Sequence, residues 1–201
     1  MKAKEVIILL LIILAGVGLH YLEDWDSTLK DTWLDDSFAF KLGNRSYEFE
    51  ENQNLEPADI LEVINSHGQV QIEGGDYQDI SLTLKKTIRE KSEKQAAQLA
   101  TELKLQTKRD GPKLILSTNR NDFRRKAFSV DFMLKVPAST VITVSNSFGP
   151  ARISGVKQVE VHNDHGQVDL LDIRGGVKAS NSFEKLSCLD IEGACQIATS
   201  H

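Results

Sequence analysis

A short motif that returns at a nearly fixed interval constrains this chain more than any other feature. Residues 144–149 read VSNSFG, 161–166 read VHNDHG and 179–183 read ASNSF, with Asn at 146, 163 and 181. The steps are 17 and 18 residues, and a further 18 falls on Thr199 in the terminal ATSH. An earlier copy, VINSHGQVQI at 63–72, matches VHNDHGQVDL at 161–170 in six of ten positions. β-Branched residues on both sides of a polar turn, at a period near 18, predict stacked β rungs that each bury an apolar side on their neighbours. The fold class expected is mainly β: a β-solenoid, parallel β-helix-like, with rungs of about 18 residues. A β-rich segment with one α-helix and an N-terminal transmembrane helix would precede it.

Stacking at ~4.8 Å lines up equivalent side chains. Asn146, Asn163 and Asn181 are expected to form a ladder that ends on Thr199. Asparagine suits this place because it tolerates left-handed turn conformations and its amide can bond to the copy above. Two positions on, Phe148, His165, Phe183 and His201 form a second row, whose rings can stack offset. The rows argue against a metal. His165 and His201 lie two rungs apart, roughly 9–10 Å, whereas zinc ligands converge at ~2 Å. Asp172 and Asp190 share a register, which fits turn hydrogen bonding and also a shared cation. Ser66-His67 and Asp164-His165 are adjacent pairs whose side chains diverge, so neither makes a triad. Gly149, Gly166 and Gly175-Gly176 are isolated punctuation rather than a phosphate loop. No catalytic residue, cofactor or metal site is assigned, and the chain is read as a non-enzyme.

The N-terminus is read as membrane-directed. Lys2 and Lys4 precede Val6–Leu19, and the uncharged run extends to Leu22. As a helix at 1.5 Å per residue it reaches roughly 25 Å, the short end for a bilayer. Two readings stay open. A cleaved signal peptide would use Gly16 and Gly18 at the cut, without an A-x-A site. A signal anchor is favoured by Tyr21, Trp25 and Trp33, which suit the membrane interface. Leu14-Ala15-Gly16 is followed by Val17 where a lipoprotein needs Cys. Both readings place the chain after residue 22 outside the cytoplasm, because the lysines precede the apolar run. Residues 21–36 instead carry six acidic residues against Lys30.

The organisation expected is a transmembrane segment at 1–22, an acidic juxtamembrane linker at 23–45, a β-rich part at 46–136 and repeats at 137–201. Within the β-rich part, Ser92-x-x-Gln95 and the stripe Ala96, Leu99, Ala100, Leu103 predict a helix near 92–104. Asp110-Gly111-Pro112 then turns a hairpin, and Phe128, Val130, Phe132, Leu134 and Val136 alternate as a strand. Residues 85–126 hold thirteen Lys or Arg against five acidic residues. Arg120, Arg124, Arg125 and Lys126 are the densest cluster, read as a solvated face or a contact for an anionic envelope polymer or lipid headgroup. Nucleic acid is not a partner expected of an exported chain. Cys188 and Cys195 occupy apolar repeat positions, as small core residues or a bridge in an oxidising compartment.

LEVINSHGQVQIEG at 61–74, the helix at 92–104 with its hairpin, and FSVDFMLKVPASTVITVSNSFGPARISGV at 128–156 resemble the bacterial putative-adhesin family of β-strand-repeat proteins. The later repeats fit as well, so the resemblance covers roughly 45–201. It implies a β-solenoid domain displayed outside the cytoplasmic membrane, with no catalytic residues to carry over. The repeats run to the last residue, so a capping rung is missing, and self-association through an open solenoid end or a longer natural chain is expected. The function expected is a membrane-anchored extracytoplasmic adhesion or envelope-scaffold protein, with an envelope polymer or membrane protein as partner. An accessory component of an envelope-stress signalling system is the alternative, and a polysaccharide-acting enzyme a remote one.

Overall fold

The computed structural model describes residues 45–200. The expected transmembrane segment, most of the acidic linker and His201 lie outside these residues. Among the described residues no helix is long and apolar enough to cross a membrane.

Among the described residues fourteen strands and one α-helix follow in order: β1 (Arg45–Leu55), β2 (Ile60–His67), β3 (Val70–Gly75), β4 (Ile80–Glu90), α1 (Glu93–Glu102), β5 (Leu105–Asp110), β6 (Lys113–Thr118), β7 (Phe128–Pro137), β8 (Val141–Phe148), β9 (Ala151–Ser154), β10 (Gln158–His165), β11 (Val168–Ile173), β12 (Val177–Asn181), β13 (Leu186–Ile191) and β14 (Cys195–Thr199). They form two seven-stranded sheets. One runs β1-β4-β7-β3-β9-β11-β13 and the other β14-β12-β10-β8-β2-β6-β5. Alternation along the strands sends one side chain in two inward. Phe128, Val130, Phe132, Leu134 and Val136 of β7 are buried, and so are Ile142 and Val144 of β8. The inward sets of both sheets belong to a single apolar cluster that includes Leu61, Ile72, Leu116, Ile153 and Leu170. Each fully buried Leu or Ile contributes roughly 1.5–3 kcal/mol relative to exposure.

This arrangement corrects the expected fold class. Among the described residues the fold is not a solenoid of repeated rungs but a pair of mixed sheets with one α-helix, and the expected N-terminal transmembrane helix lies outside them. β1 pairs antiparallel with β4, β4 with β7, and β5 with β6. Chain order is broken as well. β2 lies between β6 and β8, and β3 between β7 and β9, all four pairings being parallel. The β2–β3 unit is therefore inserted ahead of β8–β9, across the roughly seventy residues that separate them in sequence. A repeat period reports that segments share local structure. It does not report which neighbour each one pairs with. The strands of 45–137 and those of 141–199 share the same two sheets.

Helix α1 begins at Ser92, whose hydroxyl accepts from Gln95 N at 3.3 Å, and buries Ala96, Leu99 and Ala100. Its C-terminal carbonyls are met from below by Lys86. This residue takes an inward position of β4 between Leu84 and Ile88, and its Nζ donates to Ala100 O at 3.0 Å and Leu103 O at 2.6 Å. Glu51 Oε2 lies 2.9 Å from the same ammonium. A buried lysine is tolerable only when paired and bonded in this way. Here it satisfies two carbonyls that a helix end leaves open.

Candidate functional site

The repeated motif builds one margin of the molecule, where β2, β8, β10 and β12 each turn into the opposite sheet. Asn65, Asn146, Asn163 and Asn181 are register partners along that margin, followed by Thr199. All four asparagines are buried. Asn146 Nδ2 donates to Gly149 O at 2.9 Å and Asn163 Nδ2 to Gly166 O at 2.7 Å, so each side chain closes its own turn across three residues. The same amides reach the next copy: Asn146 Nδ2 to Asn163 Oδ1 at 3.1 Å, and Asn163 Nδ2 to Asn181 Oδ1 at 3.3 Å. Asn65 breaks the series by donating instead to Val130 O of β7 at 3.0 Å. Asn146 Oδ1 is left buried without a donor. Gly149 and Gly166 complete the turns at φ +123° and +131°, and a Cβ on Gly166 would lie 2.2 Å from Gly149 O. The turn thus needs glycine for its backbone angle and also for space.

Outside the asparagines runs a row of rings. His67 stacks on Phe148 at 4.7 Å, Phe148 on His165 at 4.6 Å and His165 on Phe183 at 4.4 Å. Sequence reading named Phe148, His165 and Phe183 but missed Asn65 and His67. Both sit in the 63–72 copy, and only the insertion of β2 beside β8 brings them into line. Burial, with the Arg120 guanidinium as a smaller cause, holds the His67 imidazole below its ordinary titration range. Gly155, Asp172 and Asp190 all take positive φ, +68°, +53° and +55°. Asp172 and Asp190 therefore serve as left-handed turn residues. Among the described residues no group of three or more His, Cys, Asp or Glu converges as metal ligands.

The basic cluster divides. Arg120 is half-committed to structure: its guanidinium donates to Phe128 O at 3.0 Å and lies 4.3 Å from the centroid of that ring. Lys126 pairs with Glu90 at 2.8 Å. Arg124 and Arg125 are exposed. Cys188 is half-buried and Cys195 exposed, both as free thiols. Burial, and then the neighbouring Cys195, push the Cys188 thiol up to about 11.

Sequence reading also missed a groove on the outer face of the second sheet. Glu160 and His162 of β10, Lys178 and Ser180 of β12, and Gln196 and Ala198 of β14 line a shallow groove of 340 Å³. Register places Lys178 between Glu160 and Gln196, and Ser180 between His162 and Ala198. Lys178 Nζ lies 2.7 Å from Glu160 Oε1. His162 bridges two partners, with Nδ1 2.6 Å from Ser180 Oγ and Nε2 3.2 Å from Asp164 Oδ1. Hydroxyl, imidazole and carboxylate in series are the parts of a nucleophile relay. Two facts weigh against that use. His162 and Asp164 side chains are 61% and 41% exposed, so water competes for every bond. β12 is paired along both edges over Val177–Asn181, so its amides are spent on the sheet and supply no oxyanion donors. As built, the arrangement is a hydrogen-bonding surface.

No protein-family model matches the chain, and no curated protein matches it. Among solved structures it is similar to a "putative cell adhesion protein" from Clostridium sporogenes ATCC 15579, at 12% identity and a TM-score of 0.43, covering 76% of this chain and 100% of that one. It is similar also to a "putative lipid binding protein" from Parabacteroides distasonis ATCC 8503, at 11% identity and a TM-score of 0.37, covering 78% of this chain and 63% of that one. A third is a "putative adhesin" from Bacteroides fragilis NCTC 9343, at 9% identity and a TM-score of 0.30, covering 76% and 97%. These likenesses carry nothing about what this chain binds.

Proposed function

We propose that this chain is a non-enzymatic, membrane-anchored protein of the cell envelope that holds an extracytoplasmic partner against the outer face of its second sheet. The observation that carries the reading is the groove across β10, β12 and β14. Glu160 and Lys178 form an ion pair, Ser180 and Ala198 are small, and His162, Ser180 and Gln196 offer hydrogen-bond donors and acceptors. A shallow, hydrogen-bonding strip whose ion pair is matched within itself fits an extended hydroxyl-rich envelope polymer better than a compact or charged ligand. Support for the anchor is the uncharged run 6–22 behind Lys2 and Lys4, which also sets the outward orientation.

The test is co-sedimentation of the full chain with isolated, insoluble envelope polysaccharide. Ser180→Arg should fill the groove and weaken binding at least tenfold, while Ser187→Arg on the other sheet should leave it unchanged. Equal binding by the two variants, or release of soluble sugar fragments by the native chain, would contradict the reading.

A further inference from the structure

The margin that carries the ring row also gathers the exposed cations of the first sheet. Arg45 pairs in register with Glu90 and Ser46 with Arg89, so β1 begins where β4 ends. β7 begins at the same end, since Ile88 faces Phe128 and Arg89 N donates to Ala127 O at 3.0 Å. Arg45, Arg89, Lys91, Arg124 and Arg125 therefore lie together at one end of β1, β4 and β7, all exposed. Among the described residues none of the five stands within ion-pair distance of a carboxylate. The turns into β3, β9, β11 and β13 lie on the same side, because β3 and β7 run parallel with Val70 opposite Phe132. Those turns expose Phe148 at 45% and Phe183 at 57%. Asp164 and Glu184 are the acidic residues of that row, and Asp122 is exposed two positions before Arg124. At the opposite ends of the strands the loops carry Glu56, Asp59, Asp76, Asp79 and Glu192 against exposed Lys157 and Arg174, with Arg109 held to Glu56 and Pro57 carbonyls.

We infer that this margin is a docking surface for an anionic lipid bilayer. The guanidinium groups of Arg89, Arg124 and Arg125 would meet headgroup phosphates, and the Phe148 and Phe183 edges would meet the interface. The inference rests on the membrane-anchored reading above and adds which side of the domain faces the bilayer. Three observations favour lipid over a soluble polyanion. Cations and exposed phenyl edges share one margin of the first sheet, as a headgroup boundary requires. The far end carries an excess of acidic residues over Lys157 and Arg174, so an anionic surface orients the domain as well as attracting it. The chain enters at Arg45, within this cluster, after an apolar run that ends at Leu22. Each Lys or Arg brought near an anionic surface strengthens partitioning roughly fivefold, an effect that salt weakens.

The experiment is amide hydrogen exchange on the full chain in lipid nanodiscs, of phosphatidylcholine alone or mixed with phosphatidylglycerol. In the anionic discs exchange at 66–69, 121–127 and 182–185 should slow at least about fivefold, with 76–79 unchanged. Arg89→Glu, Arg124→Glu and Arg125→Glu together should abolish the slowing. Unaltered exchange in the β7 core shows that this variant is folded. Equal protection in neutral and anionic discs would overturn the inference, as would protection that a soluble polyphosphate produces in neutral discs. A chain that enters the discs without any protection overturns the docking alone. A chain that fails to enter them overturns the anchor and the docking together.

Discussion

Single side chains do more here than their types announce. Asn163 is fully buried and makes three amide bonds, to Gly166 O, to Asn181 and from Asn146. Asn163→Ala should cost about 2–3 kcal/mol in denaturant unfolding, because it strands partners on both sides. Thr199 holds the equivalent register position on exposed β14, and Thr199→Ala should stay within about 0.5 kcal/mol. Equal losses would mean the asparagine row adds nothing beyond local turn closure. His67 gives a second check at this scale. Its titration is lowered from the ordinary 6.5, first by burial and then by Arg120. The folded chain therefore holds fewer protons than the unfolded one between the lowered value and 6.5. Its contribution to stability is complete above 6.5 and is lost as pH falls through the folded value. Nuclear magnetic resonance titration should find His67 below 6.5 and Arg120→Gln should bring it part of the way back; a midpoint at or above 6.5 in the native chain would contradict this. The motif itself was legible because asparagine, a ring and glycine recur at fixed offsets. Asn65 and His67 were not, since their place in the rows depends on a pairing seventy-eight or more residues away, as in Asn146 Nδ2 to Gly68 O.

At the scale of elements, alternation and capping chemistry were readable, while pairing was not. The apolar alternation in β7 and the cap at Ser92 are local, so the sequence carries them whole. The order of strands depends on competition between edges, and no local signal announced that β4 would draw β1 and β7 antiparallel to itself. Lys86 shows the same limit: in sequence it interrupts the pattern Ile80, Leu82, Leu84, Ile88, and only the helix packed above makes it a fitting core residue. Lys86→Met keeps the stem and removes the donors, so it should lower stability by about 1–3 kcal/mol, part of the loss being offset by the charge no longer buried. The variant also bears on acid sensitivity. Its bond to Lys86 is the main cause holding the Glu51 carboxyl below the ordinary 4.5, so the pair stabilises fully above 4.5 and is lost as pH falls through the lowered value. Acid unfolding of Lys86→Met should therefore be shallower below pH 4.5 than that of the native chain. An identical acid limb would show that Glu51 gains nothing from the ammonium.

For the whole molecule, the candidate surface was the least legible part. The groove on β10, β12 and β14 is a property of register: Ser180 falls beside His162 only because Val159 pairs with Val177. The basic cluster was visible as composition, but its division was not, because Arg120 and Lys126 are drawn into local bonds while Arg45 and Arg89 join from strands far apart in sequence. The proposed function requires that the described residues lie outside the cytoplasmic membrane. Cys195 offers a direct probe, being exposed, whereas the Cys188 thiol is half-buried and pushed up to about 11, which leaves little reactive thiolate near neutral pH. Intact cells making the full chain, briefly reduced, are treated with a maleimide that cannot cross the cytoplasmic membrane. Labelling before lysis should match labelling after it and disappear in Cys195→Ser. Labelling that appears only after lysis would place the domain inside the cell and contradict the account.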